Sequence, residues 1–436
     1  MSNNDTNTTE APTRRDYMRY GGAVVGGGLL AGCTGETESD QDAETESTDT
    51  TDTTDSTDDS WTATMPPIGE VEFDGIPESI VFSEGFVADI AVALGQTDVC
   101  DGFAYNKWVT EYYDLLPDVE VDGDVRSILR DGSGDKEILY EIDPDLIAID
   151  PNAFINYYEM DSADVDELNS NIAPTFGQRA RGPRSEGWYV WPDEESYPYL
   201  GMYEQTRAYG DVFQEPERAE AIIELNRELV EEVGSRLPPE DERPTAAVFY
   251  YYDGTFGTAD IDRRRVFPET VGDDGEVKTF SKKQYRDLGM VYPWADRHDK
   301  GEYWLSSDLE GALEMDPDIL ILDNGLNSVR KQADIEYLQS TYETFATDSV
   351  ASQLTAVQND RLYLGGAAVQ GPIANMFQLE AAAKQLYPEE FGEWPTVGNI
   401  SEYPDGFEWE PKFDEIPAEE QLFDRQRVAD IINGDF

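Results

Sequence analysis

The sequence predicts an α/β protein built as two similar halves joined by one long helix, and three observations carry that expectation. From Ile80 onward, short apolar runs alternate with stretches of helical period. Near the middle, a helix-period segment from Pro216 to Leu237 is interrupted only by Gly234. A pattern at 137–150, EILYEIDPDLIAID, returns at 310–323 as EGALEMDPDILILD, a constant offset of 173 with six identities.

Each element follows from its residues. Ile80-Val81-Phe82 is a strand, Ser83-Glu84-Gly85 a turn, and Phe86, Ile90 and Leu94 a helical stripe that ends at Gly95, a residue suited to a left-handed cap. In each copy of the repeat a Glu-bearing helix stops before Asp-Pro-Asp, because proline restricts the residue ahead of it. An apolar strand follows and ends at Asp150 or Asp323. The central segment opens on proline, tolerated in a first helical turn, and spaces Ala219, Ile222, Leu225, Leu229 and Val233 at helical intervals. Such a helix is roughly 33 Å long, about the width of a domain. Pro238-Pro239 stops it before Glu240-Asp241-Glu242, and the second half opens on the strand Ala246 to Tyr251.

Composition sets the surroundings. The 436 residues, 39% hydrophobic and 11% aromatic, suffice for packed cores in two domains. Against 93 acidic residues stand 31 basic ones, and the formal net charge of −62 excludes a nucleic-acid partner. Such a surface repels itself in dilute buffer and is tolerated at molar salt, where the Debye length shrinks to roughly 3 Å. With 9 Lys against 22 Arg, it resembles the surfaces of proteins from salt-loving archaea, and a saline habitat is expected.

The first residues point to export. Thr13-Arg14-Arg15-Asp16-Tyr17-Met18, an uncharged stretch from Gly21 to Ala31, and Leu30-Ala31-Gly32-Cys33 together resemble a twin-arginine signal ending in a lipobox. The apolar part is too short to span a bilayer. Arg14 and Arg15 are then the signal pair, and Cys33 carries a lipid at the extracellular face of the cell membrane. Cys100 would be the one remaining thiol, in a context that suits a small buried hydrophobe. Residues 34 to 60 hold 24 Thr, Ser, Asp or Glu among 27, which makes an extended, self-repelling tether. The expected division is a signal at 1–33, a tether at 34–62, an N-terminal lobe at 63–212, the helix at 213–240 and a C-terminal lobe at 241–436.

Several segments together resemble one known family. They are Ile76-Pro77-Glu78-Ser79-Ile80-Val81-Phe82 with Leu94-Gly95, both copies of the repeat, and Leu354-Thr355-Ala356-Val357-Gln358-Asn359-Asp360-Arg361-Leu362-Tyr363. In order and spacing, over residues 76 to about 390, they resemble the substrate-binding proteins of ABC importers for iron(III)-siderophores, haem and vitamin B12. The resemblance implies two Rossmann-like lobes joined by a single α-helix, the type III periplasmic-binding-protein fold. It also implies a monomer with no catalytic activity that holds a small metal chelate between its lobes and delivers it to a permease dimer with ATPase subunits. An iron(III)-siderophore is favoured, ahead of cobalamin and haem. Glu137 and Glu310 would dock onto the permease, one per lobe, although Ser307-Asp308-Leu309-Glu310 also reads as a capping box in which Glu310 reaches back to the helix start.

Open α/β sheets leave their crevice beyond the carboxyl ends of the strands, so ligand contacts are expected in the loops there. The candidates are Phe86 and Tyr105 in the first lobe, Arg184, Trp188 and Trp191 ahead of the long helix, and Tyr251, Tyr252, Phe256, Tyr303 and Trp304 in the second lobe, with the stretch Asn152 to Tyr158 beside them. Rings supply apolar area at low rotamer cost, and guanidinium pairs with the oxygens of an anionic chelate. Arg263-Arg264-Arg265 suits either ligand attraction or pairing with surface carboxylates. An enzyme is not expected, nor a cofactor or resident metal. The sole histidine, His298, lies in a polar run, and no Gly-x-Ser-x-Gly, His-Glu-x-x-His or phosphate loop occurs. One histidine argues against bare zinc or manganese as cargo, while bare iron on oxygen ligands and a surface lipoprotein without a transport role stay open.

Overall fold

The computed structural model describes residues 60–66, 68–105, 108, 110–123, 125–130, 132–179, 199–323, 332–366, 369–396 and 413–436. Arg14, Arg15, Cys33 and the acidic stretch up to residue 59 lie outside the described residues. An antiparallel hairpin comes first, β1 (Trp61–Met65) and β2 (Gly69–Phe73), with Ala63, Met65, Val71 and Phe73 on its buried side. The alternation is that of strands with one wet face.

The first lobe runs β3 (Ile80–Glu84), α1 (Gly85–Ala93), β4 (Cys100–Tyr105), β5 (Arg126–Ser127), a short hairpin of β6 (Leu129–Arg130) and β7 (Ser133–Gly134), α2 (Lys136–Ile142), β8 (Leu146–Ala148), α3 (Pro151–Tyr157) and α4 (Ser162–Asn171). Its parallel sheet has the order β5-β4-β3-β8. Ile80, Phe82, Phe103, Leu146 and Ala148 enter one core, and Val81, Ala104, Ile147 and Ile149 enter another with Leu139, Phe154, Val165 and Leu168 of the helices. Burial on both faces is why these strands read as continuous apolar runs. The expected turn at Ser83–Gly85 is absent. The strand continues to Glu84 and α1 starts at Gly85, where an added Cβ would lie 2.7 Å from the Cα of Trp108.

Two helices follow, α5 (Met202–Val212) and α6 (Pro216–Arg236). The 21-residue α6 ends one residue before the expected Leu237 and buries Ala219, Ile222, Ile223, Leu225, Asn226, Leu229 and Val233. It joins the two lobes. Arg218 donates from Nη1 to the carbonyl of Leu94 at 2.7 Å, and Gly95 turns away beneath it with φ 81°.

The second lobe comprises β9 (Ala246–Tyr252), β10 (Thr255–Ala259), α7 (Lys283–Asp287), β11 (Trp304–Ser307), α8 (Leu309–Met315), β12 (Ile319–Leu322), α9 (Gln332–Thr347), α10 (Thr355–Gln358), β13 (Leu362–Leu364), α11 (Pro372–Leu386), α12 (Pro388–Phe391) and α13 (Arg425–Asn433). The sheet order is β11-β10-β9-β12-β13, with β9, β12 and β13 parallel and β10 antiparallel to both of its neighbours, β9 and β11. The repeated sequence is a repeated structure, α2 to β8 and α8 to β12. Each helix ends on an aspartate in the left-handed region, Asp143 with φ 52° and Asp316 with φ 40°. Their N–H groups donate to Leu139 and Ala312 at 2.9 Å, so a left-handed cap, and not an extended pre-proline residue, stops each helix.

The lobes meet at the start of α11. Its first turn has donors with no partner inside the helix. The carboxylate of Asp89, on α1, accepts from Ile373 N at 2.9 Å and Ala374 N at 3.2 Å through Oδ2, and from Tyr113 Oη at 2.7 Å through Oδ1. The Tyr113 hydroxyl in turn accepts from Trp108 Nε1 at 2.8 Å. From α6, Asn226 Nδ2 donates to the carbonyl of Pro372 at 3.1 Å. Phe86 packs edge-on against Phe280 of the second lobe at 5.3 Å beside this junction. At the far side of α11, Arg425 lies 3.5 Å from the fully buried carboxylate of Glu380, which also accepts from Leu422 N at 2.9 Å. Burial raises the pKa of Glu380 and lowers that of Arg425.

Burial also pushes Asp89 up to about 6, against the hydrogen bonds that favour its charged form. A carboxyl whose folded pKa lies above its unfolded value, near 3.9, contributes stability that is complete below about pH 4 and lost as pH rises through 6. Asp89→Asn, which stays neutral, should remove that dependence. The stability of the unaltered chain relative to this variant is expected to fall by about 3 kcal/mol between pH 4 and pH 7 in chemical unfolding at molar salt. A constant difference would show that Asp89 does not titrate there.

Candidate functional site

In the first sheet, β3 is followed by β4 on one side and β8 on the other, so the chain reverses its direction of winding at β3 and β8. Beyond the carboxyl ends of strands at such a point, open sheets leave a crevice. A crevice of about 390 Å³ lies there, lined by Ser83, Glu84, Phe86, Leu129, Tyr157, Tyr158 and Arg179, among others.

Its walls are set by the backbone. Asp150 caps α3, accepting from the backbone and side-chain nitrogens of Asn152 at 2.9 Å each through Oδ1, while its Oδ2 accepts from Arg179 N at 3.2 Å. Tyr157 closes α3 and is 45% exposed, whereas Tyr158 turns in against Phe154. Opposite, Thr175 bridges to Ile147, and Gly177 lets the chain pass the sheet end: an added Cβ would meet Ile149 C at 2.7 Å. That path puts the guanidinium of Arg179 over the Tyr157 ring, 4.4 Å from its centre. A planar cation on a half-exposed ring offers apolar area and N–H donors side by side.

The expected contact residues divide sharply. Phe86 lines the crevice. Tyr105 ends β4 opposite Glu84, and Arg184, Trp188 and Trp191 lie outside the described residues. Phe256 is a correction: it is fully buried on the inner face of β10, stacked 5.2 Å from Phe249 and beside Phe345, and cannot touch a ligand without opening the core. Tyr251 packs edge-on against Phe345 at 5.5 Å, while Tyr252 is 72% exposed. Tyr303 and Trp304 pack against each other and against cations of their own lobe, Arg263 at 4.3 Å from the Tyr303 ring and Lys282 at 5.8 Å from the Trp304 ring. None of these second-lobe aromatics lines the crevice.

The arginine triplet serves the lobe itself. Arg263 is buried and donates to Thr279 Oγ1 at 3.2 Å, Arg264 pairs with Asp262, and Arg265 binds Asp296 at 3.0 Å and the carbonyl of His298 at 2.9 Å. His298 is buried between Tyr292 Oη and the carbonyl of Glu302, both at 2.8 Å. A larger cavity of about 890 Å³ separates α5 and α6 from the second lobe. Lys278 and Lys283 on its wall are already paired, with Glu204 and Asp274 at 2.5 and 2.7 Å and with Asp287 at 2.5 Å. Its wall includes Asp260 to Asp262, just past β10, and Val291 beside the start of β9, so it lies away from the carboxyl ends of the parallel strands, and the first-lobe crevice is the better candidate.

Glu137 and Glu310 are second residues of their helices, not third. The caps are Asp135, which accepts from Glu137 N at 2.9 Å, and Asp308, which accepts from Gly311 N at 2.9 Å. The capping-box reading of Glu310 is therefore overturned, because a reciprocal bond needs the acid one position further on. Both carboxylates are exposed. A short connection reverses the chain between each helix and the strand after it, so both glutamates lie toward the carboxyl ends of the sheets, the end that carries the crevice.

The family model described as periplasmic binding protein matches residues 80–369. A periplasmic binding protein from Veillonella parvula is similar in structure with a TM-score of 0.50 at 17% identity, over 75% of this chain and 97% of that one. The petrobactin-binding protein YclQ from Bacillus subtilis gives 0.50 at 16% identity, over 75% and 99%. No curated protein matches the chain. Among the described residues, no helix is long and apolar enough to cross a membrane.

Proposed function

The chain belongs to the periplasmic binding protein family, and from that premise we propose that it captures an iron(III)-siderophore-type chelate outside the cell and hands it to an ABC permease. The observation that carries this reading is the placement of the crevice and of both exposed glutamates at one end of the two sheets. A partner seated on Glu137 and Glu310 faces the mouth from which cargo must leave.

The crevice suits a bulky chelate with an apolar periphery and exposed oxygens. Phe86, Tyr157 and Tyr158 provide ring surface, and Arg179 provides charge-assisted donors for carboxylate, hydroxamate or catecholate oxygen. The protein performs no bond chemistry on the cargo in this reading; it encloses and releases it. A twin-arginine signal with Arg14 and Arg15 and a lipid on Cys33 would keep the protein at the outer face of the membrane.

Cargo is tested by titrating the chain, folded in molar KCl, with ferric hydroxamates, ferric catecholates, haem and cobalamin while following tryptophan fluorescence. Saturable sub-micromolar quenching by a ferric chelate is expected, and saturation by haem or cobalamin alone would overturn the siderophore assignment. Tyr157→Ala and Arg179→Ala should each weaken that binding about tenfold, near 1.4 kcal/mol, with unchanged far-ultraviolet circular dichroism. Wild-type affinity in both variants would place the site elsewhere.

Docking is tested in cells. Glu137→Ala with Glu310→Ala is expected to abolish uptake of the labelled chelate while the purified variant binds it as before. Retained uptake would sink the docking assignment.

A further inference from the structure

The two glutamates are not alone on their helices. One turn along, at the same face, stand Glu141 and Glu314, which also occupy identical positions of the repeat. Each is held by an arginine from the segment before its helix. Arg126, on β5, donates to Glu141, and Arg297 donates through both terminal nitrogens to Glu314, at 2.8 and 3.4 Å. The arginines are 171 residues apart, against 173 for each pair of glutamates. Both remain about half exposed, at 45% and 48% of their side-chain surface. Each keeps N–H groups that bond to nothing else among the described residues, since a guanidinium carries five donors.

A carboxylate is a poor landmark on this chain, whose 93 acidic residues place others all over its surface. Long-range attraction is no better a guide at molar salt, where screening leaves only contacts made within about 3 Å. Arginines held by one carboxylate occur elsewhere on the surface, but among the described residues these two alone meet the same position of the repeat on both lobes, each beside an exposed glutamate; on the first lobe Arg130 also lies 3.9 Å from Glu137. We propose that Arg126 and Arg297 are specificity determinants of docking, and that each donates to an acidic side chain on the permease next to the basic site that receives Glu137 or Glu310. Glu141 and Glu314 hold the two guanidinium groups in position. The inference rests on the docking reading and specifies what the permease must present: a base and an acid at each contact.

The test uses the full chain and its cognate permease–ATPase complex in lipid nanodiscs, with binding measured at molar KCl. Arg126→Ala with Arg297→Ala is expected to weaken binding at least tenfold, while chelate affinity and melting temperature stay near wild type. A second variant exchanges the partners, Arg126→Glu with Glu141→Arg and Arg297→Glu with Glu314→Arg. It keeps both ion pairs within the lobes but moves the donors, and it should bind as weakly. Wild-type binding by the exchanged variant would assign the pairs to packing within the lobes and overturn the proposal. If Glu137→Ala with Glu310→Ala abolishes binding while the arginine variants bind as wild type, this inference alone fails. If the glutamate variant also binds normally, the docking reading falls with it.

Discussion

The architecture depends on how the first turn of α11 is satisfied. A helix start buried between two lobes cannot leave its amide donors bare. Asp89 meets the need from the first lobe, and Asn226 reaches the same turn from the long helix. Three parts of the chain that are distant in sequence are thereby joined at one point. A carboxylate in that place is costly to desolvate, which its raised pKa records, yet removing it would strand two donors. Because Phe86 lies one turn from Asp89 and lines the crevice, the lobe junction and the ligand wall are parts of one helix.

Much of this was legible in the sequence. The long helix could be placed nearly to the residue, since periodicity over six turns and flanking prolines are strong local signals. The repeat located both sheets, because a strand buried on both faces must be apolar throughout. Phe256 shows a limit of the same signal: it follows a strand pattern, and local pattern does not tell a ring at a mouth from a ring stacked beneath a sheet. Arg179 carries no such signal, because its segment touches the sheet through a single bridge at Thr175, too short to show alternation. The role of Asp89 was equally hidden, since its partners lie 284 and 285 residues away.

The charge of the molecule shapes how its sites can work. With a net −62, selectivity cannot come from being acidic, and the groups with distinct roles are the few cations and the rings they lie on. Arg179 over Tyr157, Arg263 over Tyr303 and Arg297 over Trp294 repeat one device, a guanidinium placed over an aromatic ring. Stacking of this kind persists where salt has screened simple ion pairs, because it draws on contact and desolvation as well as charge.

The buried pair of Glu380 and Arg425 imposes an order of events. Glu380 sits within α11, but the cation and the amide that neutralise it come from the last fifteen residues of the chain. Until those residues are available, α11 would bury Glu380 with only Lys384, one turn along the same helix, to offset its charge, and without the amide and guanidinium that meet its carboxylate. The helix whose first turn joins the lobes is therefore disfavoured in its final position on an incomplete chain. The junction between the lobes thus draws on a segment that belongs to neither sheet, and a change at 422–425 would be felt at the binding site through α11.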